Sequence, residues 1–514
     1  VITLFHNGTL VTPSGHVSTS FAVQSGKIIA LGAEADGLPA DHRENLEGGY
    51  VMPGLVDAHV HLLKGGLELA GIPLRACGTP DAFRRAVAEA VARLPKGAWV
   101  TGHGWDEQRW GGPLPHRDWV DAISPRHPVL LTRTDLHLGL ANSEALRRAG
   151  IHADVEDPPG GQFDRDARGL TGIVRDTALA QIQAALPPPS PEILRAALLR
   201  AQEHAFSMGI TQVHDMGSLG GWTDLATYRE LESSGDLKLR VYSAVPLDTH
   251  ARLAEYVRTE GFGNDTLRWG AVKGFVDGSM GAATAWFESP YAHDPANSGL
   301  VVVDLDVFFS QLRDAEAAGL RPVVHAIGDA ANAWMLDAYT RLNVLHGPKL
   351  RRIEHAQHLR PQDITRFAEL GVVASMQPAH LLDDSPWAGR LLGPEREPFS
   401  YAIHSLLLAG ASVALGTDWP VVPLDPAPGF YAAMHRGPLA WIPGEALSFA
   451  QTLHGYTREA ALAGPFQNTG HLVPGAYADF CVLSARPEEF THHASAAFPV
   501  ESTWVGGARV WTRP

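Results

Sequence analysis

The residues best suited to chemistry in this chain lie in Pro53-Gly54-Leu55-Val56-Asp57-Ala58-His59-Val60-His61. An apolar strand there carries two histidines at alternate positions, and side chains two apart on a strand project to one face. His59 and His61 are therefore placed to grip one metal ion, neutral imidazole being the commonest protein ligand for divalent transition metals. Asp57 lies on the same face. With 25 histidines in 514 residues, about one such triplet arises by chance, so the pair gains meaning only from partners. Later strand-like runs end in Lys273, His325, His355 and Asp418, and these complete a set of metal ligands.

Each of these residues has a plainer reading. An ammonium at Lys273 is costly inside a protein without a counter-charge. Burial lowers its pKa, and the neutral amine can then take up CO₂ as a carbamate with two oxygens to bridge two metals. The plainer alternative is an ion pair with Asp277. His325 in VVHAIGD and His355 in RRIEHAQ are 30 residues apart, one β/α unit, which puts them on neighbouring strands. Either alone reads as a core histidine; both on the expected strands read as ligands. Asp418 ends the run ALGTD as metal ligand and proton shuttle, against the alternative of a helix N-cap, for which Thr417 is the stronger rival.

The elements that must position these groups are eight apolar runs: LVDAHV, ITQVHDM, RVYSAVP, AVKGFVDG, RPVVHAIG, RRIEHAQ, VVASMQP and SVALGTD. Continuous apolar strands alternating with helical patterns predict parallel β/α units. Eight of them predict an α/β fold with a closed (β/α)₈ barrel, whose active site sits at the C-terminal ends of the strands. An open doubly wound sheet would place residues similarly. The first 50 residues and the stretch from 470 to 514 are short strands with turn signals, and neither has enough residues for a sizeable core. The economical arrangement is one composite β-sandwich from 1–50 and 470–514 beside a barrel spanning 51–469. Residues 62–209 break the barrel repeat and read as a lid-like α/β insertion after the first strand. It holds a helix capped by Thr79 with Pro80 in its first turn, a second near Asn142, and a third after Ser190-Pro191.

Net charge of −15 argues against nucleic acid or an anionic membrane as partner. No apolar stretch approaches a membrane span, and no signal peptide is visible. The two cysteines, Cys77 and Cys481, give no disulfide framework and fit a reducing compartment. The expectation is a cytoplasmic enzyme acting on a small molecule, with a homodimer as its assembly.

The motifs PGLVDAHVH, GHGWD, DLHLGLANSEAL, VKGFVDGSMG, HAIGDAA, RRIEHAQ, LGTDWP and GHLVPGAYADFCVL, in this order over nearly the whole length, resemble the amidohydrolase superfamily. The likeness is to its YtcJ-like branch (amidohydrolase family 3), which includes N-substituted formamide deformylase-like proteins. The resemblance implies a barrel beside a β-sandwich built from both termini. It also implies a binuclear site from His59, His61, Lys273, His325, His355 and Asp418, commonly with zinc and with the lysine carboxylated.

The chemistry expected is hydrolysis of a non-peptide C–N bond, of amide, N-formyl or N-acyl type, by a hydroxide held between two metals, with Asp418 carrying the proton to the leaving amine. His137 is the expected substrate or oxyanion contact. Trp105, Asp106, Asn142, Asp277, Trp286 and Trp419 are expected around the substrate, and Trp387 is a further loop aromatic. A mononuclear deaminase on this fold would carry a glutamate three residues after the fifth-strand histidine; Gly328 stands there, with Asp329 next. Lactone or phosphoester hydrolysis would use the same site. A scaffold that kept the fold without activity is the reading from a different class, and an intact ligand set disfavours it.

Overall fold

The computed structural model describes residues 1–12, 15–133, 138–159, 161–494 and 497–514. The chain divides into two compact units, Val1–Leu63 with Ala201–Pro514, and Lys64–Arg200. Among the described residues no helix is long and apolar enough to cross a membrane.

The first unit holds eight parallel strands: β1 (Leu55–Val60), β2 (Ile210–Asp215), β3 (Arg240–Pro246), β4 (Leu267–Phe275), β5 (Arg321–Ala326), β6 (Arg351–His355), β7 (Val372–Met376) and β8 (Val413–Leu415). They lie side by side in chain order. β1, β2, β6 and β7 are buried along their whole length, as strands covered on both faces must be. Helices return the chain between most of them, for example Trp222–Ser233 after β2 and Asp329–His346 after β5. Short β8 does not itself close the ring. Closure runs through the residues just past it: Val60 and Trp419 form a parallel bridge, Asp418 N–H donates to His59 O at 2.7 Å, and His61 N–H donates to Trp419 O at 2.7 Å. The result is a nearly closed eight-stranded barrel. The open doubly wound alternative is thereby set aside.

Both chain ends join one further eight-stranded sheet in the same unit. Its order is Ala508–Thr512, Val500–Val505, Phe480–Leu483, Tyr50–Pro53, Ile2–Thr12, Gly15–Gln24 and Lys27–Leu31, with His42–Asn45 beside the first half of Ile2–Thr12. Phe5 stacks on Phe21 at 4.8 Å and meets Trp504 edge-on at 5.1 Å. Two strands separate Phe5 from Trp504 in the sheet, so the ring contact requires the sheet to fold over on itself, giving two layers with an aromatic core.

One buried ion pair ties this sheet to the barrel. Asp479 takes both arms of Arg240 at 2.6 and 2.9 Å, the two residues being 2% and 4% exposed, and Tyr477 lies 4.1 Å from the guanidinium. Removing one partner strands the other charge in the interior, at a cost of about 3–5 kcal/mol. Asp479→Ala is therefore expected to lower the thermal unfolding midpoint sharply. Arg240→Met added to it should recover part of the loss, since no charge is then left unpaired. A single variant that melts like the wild type would show that the pair adds nothing to stability.

The second unit carries a six-stranded mixed sheet in the order Gly161–Asp166, Gly169–Asp176, Leu138–Ala141, Val129–Arg133, Val100–Trp105 and Ile72–Pro73. The helix Pro80–Arg93 packs Phe83 and Val87 into its core with Trp105 and Leu131. Thr79 caps that helix, its hydroxyl accepting from Ala82 N–H at 3.1 Å, as the sequence predicts.

Candidate metal centre

His59 and His61 leave β1 toward one carboxylate. Asp418 Oδ1 lies 3.5 Å from His59 Nε2 and 3.3 Å from His61 Nε2. On the other side, His355 at the end of β6 packs its ring 4.8 Å from that of His59, and His325 on β5 lies 4.5 Å from His355. Asp418 is held in place from below. Asp57 Oδ1 accepts from the N–H groups of His59 and Thr417, and its Oδ2 takes the Thr417 hydroxyl at 2.6 Å. A Cβ on Gly416 would lie 2.5 Å from Asp57 Oδ1, so only glycine lets this clamp form. Asp418 itself sits at φ +63°, and His355 at +76°. Such left-handed conformations cost about 1–3 kcal/mol each and cluster at functional sites. Asp418 caps no helix: the next begins at Ala427. Thr417 bonds Asp57 and Trp419 N–H, and so does not act as the capping rival.

The imidazoles are locked by their second nitrogens. His59 Nδ1 meets Glu354 Oε2, His61 Nδ1 meets Gly217 O, and His355 Nδ1 meets Gln377 Oε1, each at 2.7 Å. An oxygen partner makes Nδ1 the donor and leaves Nε2 with its lone pair, the arrangement of a metal-ligating histidine. His325 is reversed: Nε2 donates to Gly278 O at 3.0 Å, leaving Nδ1 as the acceptor. Arg352 fixes Glu354 with bonds of 2.5 and 2.9 Å, and also reaches His214, Ser375 and Ala58 O.

The electrostatics favour a cation. Burial lowers His59 to about 4 and His325 to about 3, with the Lys273 charge adding to both. Burial, with His325 and His59, takes His355 well below its ordinary value. Burial alone would raise Asp418, but His59, His61 and His355 outweigh it and hold the carboxyl well below the usual range. Neutral imidazoles at His59, His325 and His355 are the protonation state that metal binding needs, whereas His61 is raised: burial would lower it, but its contact with the Asp418 carboxylate outweighs burial. Asp418 Oδ1 and Lys273 Nζ are buried without a hydrogen-bond partner. Ligand atoms of His59, His61 and Asp418 all lie within 4.8 Å of one another, as do those of His355, His380 and Asp418. The first of these groups, His59, His61 and Asp418, fits a divalent ion.

Lys273, on β4, is 5% exposed and is pushed down to about 8 by burial, against the pull of Glu354 and Asp418. The alternative pairing with Asp277 is not found. Both Asp277 oxygens are used by backbone N–H groups, Ile327 on one, Gly328 and Trp286 on the other, at 2.8–3.0 Å. Asp277 thus shapes the turn after β5, and its position at 3.6 Å from His325 Nε2 is its link to the site.

The other residues singled out in the sequence fare differently. Trp419 follows Asp418 and is 5% exposed, its ring 5.7 Å from His204; Trp286 and Trp387 are half-buried in the first unit. Trp105, Asp106 and Asn142 belong to the second unit. Trp105 is wholly buried in that unit's core, its indole N–H on Leu131 O at 2.7 Å. Asn142 is 1% exposed and spends its side chain on Val129, Ala145, Ser124 and His127, capping the helix Ser143–Arg148. Neither of these two side chains has an atom left for a ligand, which corrects the expectation of substrate contact. Asp106 pairs with Arg133 at 3.2 Å. His137 lies outside the described residues.

His380, Glu354, Arg352 and Gln377 were not singled out. Arg352 and Glu354 flank Ile353 in RRIEHAQ, and two opposite charges at alternate positions of a barrel strand, which is buried on both faces, signal a buried pair. His380 stands four residues past β7, beyond the reach of a strand-end rule.

Comparison with known proteins agrees with this geometry. The amidohydrolase family model matches residues 44–511. The chain is 39% identical to Protein LONG AFTER FAR-RED 3 of Arabidopsis thaliana, over 99% of this chain and 91% of that one. It is 30% identical to the putative amidohydrolase YtcJ of Bacillus subtilis, over 99% of both chains. It is 27% identical to the N-substituted formamide deformylase of Arthrobacter pascens, over 96% and 94%. Among solved structures, an uncharacterized metal-dependent hydrolase from Pyrococcus furiosus is similar with a TM-score of 0.79 and 29% identity, covering 95% of this chain and 100% of that one. A family model over residues 44–511, with relatives of 39% and 30% identity aligned over 99% of the chain, leaves one assignment: this chain belongs to the amidohydrolase family.

Proposed function

We propose that the chain hydrolyses a non-peptide carbon–nitrogen bond in a small molecule, of amide, N-formyl or N-acyl type, with two divalent ions, zinc the first candidate. The observation that carries this reading is the buried Asp418 carboxylate, held well below the usual range, with the Nε2 atoms of His59 and His61 converging on its Oδ1 at 3.5 and 3.3 Å. His59 and His61 would hold one ion, His325 and His355 the other, with Asp418 and a carbamate on Lys273 completing the set. Ions bound there acidify water and polarise a carbonyl.

The chain's own part is proton management. Asp418 Oδ1 accepts a proton from the attacking water as the new C–O bond forms, and gives it to the nitrogen as the C–N bond breaks. Lys273, lowered to about 8, is partly neutral near pH 7; its amine forms an N–C bond with CO₂ and releases one proton. The name of the Arthrobacter relative supports the C–N choice. So does Gly328, where a deaminase of this fold would need a glutamate. A Cβ at Gly328 would lie 2.0 Å from Trp286 O and 2.5 Å from Trp286 C, so no side chain fits. The neighbouring Asp329 instead accepts from Glu288 N–H at 2.8 Å.

Metal content per chain tests the proposal, measured by plasma mass spectrometry on protein purified without chelator and with bicarbonate. The expected result is about two ions per chain, together with turnover on a panel of N-formyl and N-acyl amines. About one ion would leave a mononuclear hydrolase without the bridge. Essentially none, even after incubation with zinc or manganese, would overturn the proposal.

A further inference from the structure

His380 is the imidazole of the site that the family's ligand pattern does not use. It follows β7 in Gln377-Pro378-Ala379-His380. Its ring stacks on that of His355, 6.4 Å between centroids and 19° between planes, and its Nε2 points at Asp418 Oδ2 from 3.9 Å. That distance is too long for a hydrogen bond. Nε2 is buried with no partner, and a buried polar atom left unmatched calls for a group to match it.

Proximity alone would make His380 one more metal ligand, since its atoms fall within 4.8 Å of those of His355 and Asp418. The partners of the second nitrogens argue otherwise. His59, His61 and His355 each present Nδ1 to an oxygen at 2.7 Å, so Nδ1 carries the hydrogen and Nε2 the lone pair. His380 presents Nδ1 to the side-chain amide nitrogen of Gln357 at 3.4 Å. An amide nitrogen is a donor. Nδ1 is then the acceptor, and in neutral imidazole the hydrogen moves to Nε2, which cannot also bind a metal. Gln357 is 4% exposed and its backbone carbonyl accepts from Tyr401 N–H at 2.6 Å, so the amide is carried on a fixed segment.

We propose that His380 is a hydrogen-bond donor, not a metal ligand: its Nε2–H binds the substrate carbonyl oxygen and stabilises the negative charge that develops there. The assignment rests on the hydrolase reading above and adds to it the oxyanion contact. A donor aimed at developing charge in a water-poor site is among the strongest catalytic contributions a single group makes.

The test uses the zinc-reconstituted full chain and two variants, His380→Ala and His380→Gln, with methylphosphonate as a tetrahedral oxyanion probe. Zinc affinity is measured by chelator competition and methylphosphonate binding by calorimetry. The expected result for His380→Ala is zinc affinity within about threefold of wild type and methylphosphonate binding weaker by about tenfold or more. Glutamine, which retains an N–H donor, should recover part of that binding. Zinc affinity falling about tenfold or more in both variants would make His380 a ligand or its support and overturn the donor role. Unchanged methylphosphonate binding, or wild-type binding too weak to detect, would overturn it equally. A wild type that takes up no zinc would instead bring down the hydrolase reading itself.

Discussion

Asp418→Asn folds and keeps most of its metal but loses turnover by about 100- to 10,000-fold, the range set by removal of a positioned acid–base group. The substitution is nearly isosteric. The side-chain oxygen can still face His59 and His61, and the Thr417–Asp57 clamp, which holds the backbone at this point, is untouched. What is lost is the capacity to take a proton. The measurement pairs kcat on an N-formyl or N-acyl amine with metal content of the same preparation. Near-wild-type kcat at full metal occupancy would rule out the shuttle. Loss of turnover in step with loss of metal would make Asp418 chiefly a ligand.

The barrel was legible because its signal is local and redundant. Parallel strands buried on both faces need continuous apolar runs, and all eight runs read in the sequence are the eight barrel strands of the structure. The candidate ligands His59, His61, His325, His355 and Asp418 come together for the same reason, since residues at the ends of such strands face one mouth. Closure was not legible. β8 is only three residues long, and the ring is completed by Val60, Trp419 and a left-handed Asp418, which no periodicity records. Trp105 misled for a related reason. It ends a strand, as catalytic residues do, but that strand, Val100–Trp105, belongs to the sheet of the second unit and its last residue faces the core there. Asn142 was recognisable as a helix start, and its burial makes the cap its whole role. The Lys273–Asp277 pair failed because charge complementarity along a strand says nothing of backbone donors. Three N–H groups, two of them from the turn after β5, claim Asp277 first.

Lys273→Ala is the second variant with a large expected effect, and it separates a carbamate bridge from an ordinary buried lysine. If Lys273 acts as an ammonium, its removal takes away a positive charge that lowers the pKa of His59 and His325, and metal binding should improve or stay level. If it acts as a carbamate, its removal deletes an anion with two oxygens, and the metal count should fall from about two toward one or none. Activity would drop by at least about 100-fold, the cost of taking a strong electrostatic group from a reaction centre. The same cavity would then accept a small carboxylate. Formate or acetate at millimolar concentration should restore part of both metal content and turnover in Lys273→Ala while doing nothing for Asp418→Asn. Wild-type protein prepared without bicarbonate and CO₂ should likewise bind less metal and regain it on adding bicarbonate. A Lys273→Ala protein that holds two ions unaided would show that Lys273 does not bridge. The buried Nζ, which has no hydrogen-bond partner, would then be a charge that tunes the imidazoles without touching the metals.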